Sequence, residues 1–107
     1  MRIGKLRHYI SIQDRTETKN EFGEAEYNWN DFAKAYAEIK PVTAKEYFAA
    51  QGEVAQVTHR IVMRYKSGVK PKMRILFKDR VFDIKAVRDY FEKNRVLEIM
   101  AQEKIDG

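Results

Sequence analysis

The nine residues Val57-Thr58-His59-Arg60-Ile61-Val62-Met63-Arg64-Tyr65 constrain the fold more than any other part of the chain. Side chains along a β-strand point alternately to opposite faces. Here Val57, His59, Ile61, Met63 and Tyr65 make one mostly apolar face, while Thr58, Arg60, Val62 and Arg64 make a face with two arginines. Such a strand needs hydrogen-bonding partners on both edges, so the prediction is a β-domain with this strand near its centre and one basic face.

The rest of the chain supplies the partners. Leu6 to Asp14 alternates, with Leu6, His8, Ile10 and Ile12 on one side. Thr16 to Glu24 is polar and carries Lys19-Asn20-Glu21 and Gly23, which predicts a long hairpin connection. Tyr27 and Trp29 share a face, Asn30-Asp31 marks a turn or bulge, and Phe32 to Lys40 sets Ala33, Ala35, Ala37 and Ile39 on one small-residue face. Small inward residues suit a tight barrel. Pro41, lacking an N–H, ends that strand.

Thr43-Ala44-Lys45-Glu46 is a capping box, with the glutamate three residues after the threonine, and predicts a short helix from Ala44 to Gln51 stopped by Gly52. After the central strand, Lys70-Pro71-Lys72 makes a basic kink and Met73 to Phe77 a short strand. Lys78-Asp79 is a two-residue turn. Arg80 to Arg88 follows, with Val81, Asp83 and Lys85 against Phe82, Ile84 and Ala86, and Val96 to Gln102 is the last strand. The fold class is therefore mainly β: a small antiparallel barrel or sandwich with one short helix in an inter-strand insertion. At 107 residues the chain is expected to be one domain, 1–107, burying roughly 60–70% of its unfolded surface.

Charge is distributed unevenly. Residues 1–56 hold 8 Lys+Arg against 9 Asp+Glu, residues 57–95 hold 12 against 4, and residues 96–107 hold 1 against 3. Within 14–31, Asp14, Glu17, Glu21, Glu24, Glu26 and Asp31 face only Arg15 and Lys19. An acidic segment and a basic half on one small domain suit nucleic acid, or association between unlike surfaces of two copies.

Chemistry is sparse. There is no cysteine, which removes disulfides, thiolate metal sites and thiol nucleophiles. His8 and His59 lie on predicted apolar faces without carboxylates at ligand spacing, so they are expected to be core or interface histidines. No nucleophile elbow, phosphate-cradling glycine loop or zinc pattern occurs, and no enzyme activity, metal or cofactor is expected. With no signal-peptide or membrane-span pattern, the chain is expected to be made and used inside a cell unless it leaves within a larger particle.

Two readings of the charge compete. Lys66, Lys70, Lys72, Arg74, Lys78 and Arg80, with Arg60 and Arg64, could neutralise phosphates in a small basic nucleic-acid-binding barrel. The other reading is assembly: segment 14–31 of one subunit, through Glu24 and Glu26, faces segment 60–80 of the next, through Arg60 and Arg64, in a head-to-tail ring.

A family resemblance favours assembly. The chain resembles the bacteriophage head–tail connector proteins (head–tail adaptor, joining and head-closure proteins) in pieces that follow one another in order. These are Gly4-Lys5-Leu6-Arg7-His8-Tyr9-Ile10-Ser11-Ile12-Gln13, Trp29, Ala35-Tyr36-Ala37-Glu38-Ile39-Lys40-Pro41, Glu46-Tyr47-Phe48-Ala49-Ala50-Gln51, Thr58 to Tyr65, Gly68-Val69, Pro71, Met73-Arg74 and Arg80-Val81-Phe82-Asp83-Ile84. It departs from the family where Tyr36 replaces a more usual tryptophan and Met100-Ala101 lacks a cysteine.

The resemblance implies a ring, dodecamer-like when assembled and monomeric when isolated, at the virion head–tail junction below the portal. It would be built in the host bacterial cytoplasm, between a portal or adaptor ring and a tail-completion protein, away from any membrane. DNA would pass through its channel without specific recognition. It implies no catalytic residues. Combined with the charge map, it predicts that segment 42–56 (Lys45, Glu46, Gln51, Glu53) or loop 66–74 (Lys66, Lys70, Lys72, Arg74) faces the channel or an adjacent ring.

Overall fold

The computed structural model describes residues 6–42, 57–89 and 95–104. Six antiparallel strands form one sheet: β1 (His8–Lys19), β2 (Ala25–Pro41), β3 (His59–Arg64), β4 (Arg74–Phe77), β5 (Arg80–Asp89) and β6 (Val96–Lys104). Their order is β1-β2-β3-β6-β5-β4, and β4 pairs back onto β1 through Ser11–Gln13, which closes the sheet into a barrel. Among the described residues there is no helix. The helix expected over 44–51 lies outside them.

The interior holds the residues that alternation placed there. Ile10, Ile12, Ala37, Ile61, Met63, Met73, Ile75, Phe82, Ile84, Leu97, Ile99 and Ala101 are buried together. Each large aliphatic or aromatic side chain among them contributes about 1.5–3 kcal/mol on full burial. Ala35, Ala37 and Ala101 leave the room that Phe82 and the isoleucines fill.

The structure corrects several expectations. Residues Thr16–Lys19 continue β1 rather than forming a loop, and Ala25–Pro41 is one strand without a turn at Asn30-Asp31. Of the two alternatives expected there, a turn or a bulge, the bulge is the one formed: Ile12 pairs with Ala33 but Gln13 with Asp31, so Phe32 is the extra residue. Alternation along β5 also breaks, because Ile84 pairs with Ala101 and Ala86 with Met100, leaving Lys85 unpaired. Beyond that bulge Val87, not Ala86, packs against the core.

A further correction concerns the arginine face of β3, where Val62 is only 5% exposed. It pairs across to Glu98 on β6, which is 3% exposed. Glu98 accepts from Arg88 Nη2 at 2.7 Å and has Arg60 Nε at 3.8 Å. Alternation within β3 cannot anticipate a carboxylate on a strand more than thirty positions away that draws arginines from both its neighbours. Tyr65, assigned to the apolar face, falls just past β3 and is exposed.

A strained turn yields a prediction. Met73 N–H donates to Lys70 C=O at 3.3 Å, with Pro71 second and Lys72 third at φ +78°. That is a type II turn, whose third position suits glycine because a Cβ crowds the backbone there. Lys72→Gly should therefore raise stability by about 0.5–1 kcal/mol. Urea unfolding would read this as a higher midpoint at unchanged slope, and a lower midpoint would show that the lysine side chain contributes more than its strain costs.

Candidate interaction surface

The most conspicuous surface is a projecting ribbon. Pairing of β1 with β4 stops at Gln13, and β2 begins pairing with β3 only at Ala37. Asp14–Lys19 and Ala25–Asn30 therefore pair only with each other. At about 3.4 Å per residue this ribbon extends about 20 Å, and the molecule measures 49 Å along its longest axis. It is acidic, and its tip is tightly made. Asn20 Oδ1 accepts from Phe22 N–H at 2.9 Å and Glu24 N–H at 3.0 Å, and Gly23 takes φ +80°. Phe22 stands 78% exposed at the apex.

The Phe32 bulge decides what surrounds the ribbon's root. Without it, Tyr27 and Trp29 would continue the inward row of Ala33. With it, they share the outward face of Gln13 and Arg15. Arg15 then lies over the Tyr27 ring at 4.4 Å and Arg74 over Trp29 at 4.1 Å. Arg74 Nε donates to Gln13 Oε1 at 2.8 Å, and Gln13 Nε2 donates to Asp31 Oδ1 at 2.9 Å. This chain of contacts ties β4 to both arms of the ribbon.

Beside the root lies a cleft of ≈ 480 Å³. Arg15, Lys72, Lys85 and Lys104 line it, against one carboxylate, Asp83. Asp83 is itself engaged by Lys104 Nζ at 3.4 Å. Trp29, Pro71, Met73 and Ile84 supply apolar wall. Lys85 is the bulged residue of β5, and bulges commonly re-aim a side chain beside a site.

The residues predicted from sequence are dispersed. Glu24 and Glu26 sit exposed at the ribbon's far end. Arg60 is engaged with Glu98 in its own chain, whereas Arg64 is exposed. Lys66, Lys70 and Lys72 are exposed, and Arg74 is held by Gln13 and Trp29. Lys45, Glu46, Gln51 and Glu53 lie outside the described residues. Sequence reasoning missed the pairing of Trp29 with Arg74, and the cleft, because both depend on bulges. It also missed an exposed tyrosine pair, Tyr9 and Tyr36, whose rings meet at a tilt with centroids 4.8 Å apart on adjacent strands.

Both histidines are partly buried and meet aromatic rings, but neither belongs to the buried core and their contacts differ. His8 meets Phe77 edge to face at 4.8 Å. His59 meets Phe82 at 5.2 Å, has Thr58 Oγ1 2.9 Å from Nδ1, and receives Arg80 Nη2 at Nε2 at 3.3 Å. Arg80 also forks onto Glu103, at 2.8 and 3.1 Å. Burial pushes the His59 pKa below its usual value; Glu103 opposes that shift and Arg80 reinforces it. The hydrogen bond from Arg80 lowers the Glu103 pKa despite partial burial.

Both depressions carry the same sign. The unfolded chain binds more protons, so His59 contributes stability that is lost as pH falls below 6.5. Glu103 contributes a further loss as pH falls through 4.5 and below. Lowering the pH from 7 to 5.5 should shift the urea midpoint down in the native protein and much less in His59→Gln. Equal shifts in the two proteins would remove His59 as the source.

The comparisons with known proteins agree with one another. The family model described as phage head completion protein matches residues 1–104. Head completion protein gp16 of Bacillus phage SPP1 is 28% identical over 72 residues, 67% of this chain and 66% of that protein. Head completion protein gp7 of Enterobacteria phage HK97 is 27% identical over 75 residues, 70% of this chain and 67% of that one. The chain thus spans only about two thirds of the length of those relatives. The solution structure of protein SF1141 from Shigella flexneri 2a superposes with a TM-score of 0.78 at 30% identity, covering 100% of both chains. A chain from the virion of a native gene transfer agent particle shares the fold, with a TM-score of 0.68 at 20% identity over 94% of this chain and 97% of that one.

Proposed function

This chain belongs to the phage head completion proteins, and on that premise we propose that it is a structural virion protein of a phage or prophage, not an enzyme. It forms a ring at the head–tail junction below the portal, extends the DNA channel, closes the filled head and offers the docking surface for the tail. The family match across residues 1–104 carries this reading, and the fold shared with a chain of a gene transfer agent virion supports it. The ring is dodecamer-like on its partner and dissociates to monomers when isolated. Its neighbours are a portal or adaptor ring on one side and a tail-completion protein on the other.

In this arrangement loop 66–74, through exposed Lys66 and Lys70, or segment 42–56 faces the channel or the adjacent ring. A phage or prophage lacking the gene should accumulate packaged heads and free tails, and cryo-microscopy of complemented particles should find the protein as a ring between them. Normal particles without the protein would refute the role. The cations beside Trp29 favour a second reading, a nucleic-acid-binding barrel. That reading requires the monomer to bind DNA with an affinity falling steeply as salt rises.

A further inference from the structure

We infer that the tip of the acidic ribbon of one copy seats in the basic cleft at the ribbon root of the next copy. This rests on the ring reading and specifies its subunit contact.

The ribbon tip is built for presentation. A two-stranded hairpin with no third strand is marginal in water, yet this one is pinned at its root by the Gln13, Arg74 and Trp29 contacts and at its apex by the Asn20 side chain. Such a preformed tip loses little further conformational freedom on binding. It carries Phe22, 78% exposed, with Glu21, Glu24 and Glu26 exposed around it. An exposed aromatic at the apex of a locked, projecting turn has the form of an interface anchor.

The cleft complements it. Its ≈ 480 Å³ lies within the usual range for a site that encloses a side chain or small ligand. The apolar wall of Trp29, Pro71 and Met73 suits an aromatic ring, and the cations match the carboxylates beside Phe22. Two of those cations occupy positions that regular structure would not choose. Lys72 sits at φ +78°, where glycine is easier, and Lys85 is the bulged residue of β5. Among the described residues neither forms an ion pair. A strained backbone kept at Lys72 and an unpaired bulge position kept at Lys85, both lining one cleft, point to a ligand for the two lysines.

Geometry makes the contact intermolecular. Tip and cleft lie at opposite ends of the same ribbon, and continuous pairing from Asp14–Asn30 to Lys19–Ala25 prevents the tip from folding back. Contact between unlike patches on identical copies is heterologous, and it generates a ring wherever the rotation closes.

The chain has no cysteine, so an Ala25→Cys/Lys70→Cys double variant, with one thiol beside the tip and one beside the cleft and neither within the contact, offers one defined pair for a short bismaleimide cross-linker. Particles carrying it should yield a ladder of covalent multimers, and either single variant should not. Charge reversal in Lys72→Glu/Lys85→Glu, or in Glu21→Lys/Glu24→Lys, should cut incorporation into particles at least tenfold. Combining the four changes should restore it, a rescue that misfolding would not permit. If the reversed variants incorporate normally and no ladder forms while rings remain visible, this contact is wrong and the ring reading stands. If only the lysine reversals block incorporation, the cleft holds another acidic partner and the inference fails. If the native protein forms no ring in particles, both fall together.

Discussion

Removing both arginines that flank Glu98, in Arg60→Ala/Arg88→Ala, is expected to destabilise the protein by about 3–5 kcal/mol. Glu98 is 3% exposed and has Arg88 at 2.7 Å and Arg60 at 3.8 Å. The two arginines keep part of their surface in water, so their own desolvation is modest. The carboxylate is the costly group, and without them it is buried and uncompensated. The rescue is the stronger check. Adding Glu98→Leu to the double variant should recover most of the loss, because an apolar residue of similar size needs no partner at that site. Urea unfolding of the three proteins suffices. An unchanged midpoint in the double variant would mean that Glu98 reaches another donor in the folded state.

The second large effect is expected from Phe82→Ala, at about 3–5 kcal/mol. Phe82 is fully buried and among the largest side chains of the interior. Its ring also forms part of the wall against His59, at 5.2 Å, and lies beneath the Arg80 guanidinium at 4.9 Å. Truncation should therefore do two things. It opens a cavity that the closed barrel cannot readily collapse, and it gives the His59 imidazole more water. The His59 pKa should rise towards 6.5, which NMR titration of the ring protons would follow. Phe82→Leu, keeping more of the volume, should lose less stability and shift His59 less. A His59 pKa unmoved in Phe82→Ala would place the source of its burial elsewhere.

Much of the barrel was legible before any coordinates. Ile61 and Met63 on β3, Ala35 and Ala37 on β2, and Phe82 and Ile84 on β5 all lie on the faces that period-two patterning assigned them. The acidic character of 14–31 was equally plain, and the structure places that charge on a ribbon paired only with itself. Its form was not legible, because polar residues with a glycine describe a loop and a solvent-exposed ribbon equally well. The acceptor side was less legible still. Arg60 and Arg64 stood out as a pair, yet Arg60 is engaged by a carboxylate on β6. The cations gathered at the ribbon root, Arg15, Lys72, Lys85 and Lys104, are scattered along the chain and share no local pattern.

Alternation is a property of one strand at a time, and it was enough to settle the β class, the location of the strand segments that wall the barrel and nearly all of the core. Closure of β4 onto β1, the burial of Val62 and Glu98, and the outward turn of Trp29 belong to pairings between distant segments. Two single residues, Phe32 and Lys85, each shift a register by one and so reverse the facing of every side chain beyond them. Asn30-Asp31 hinted at the first of these steps as a turn or a bulge, and nothing within β5 marked the second. The partner strand determines where each step falls, and with it which charges meet at the ribbon root.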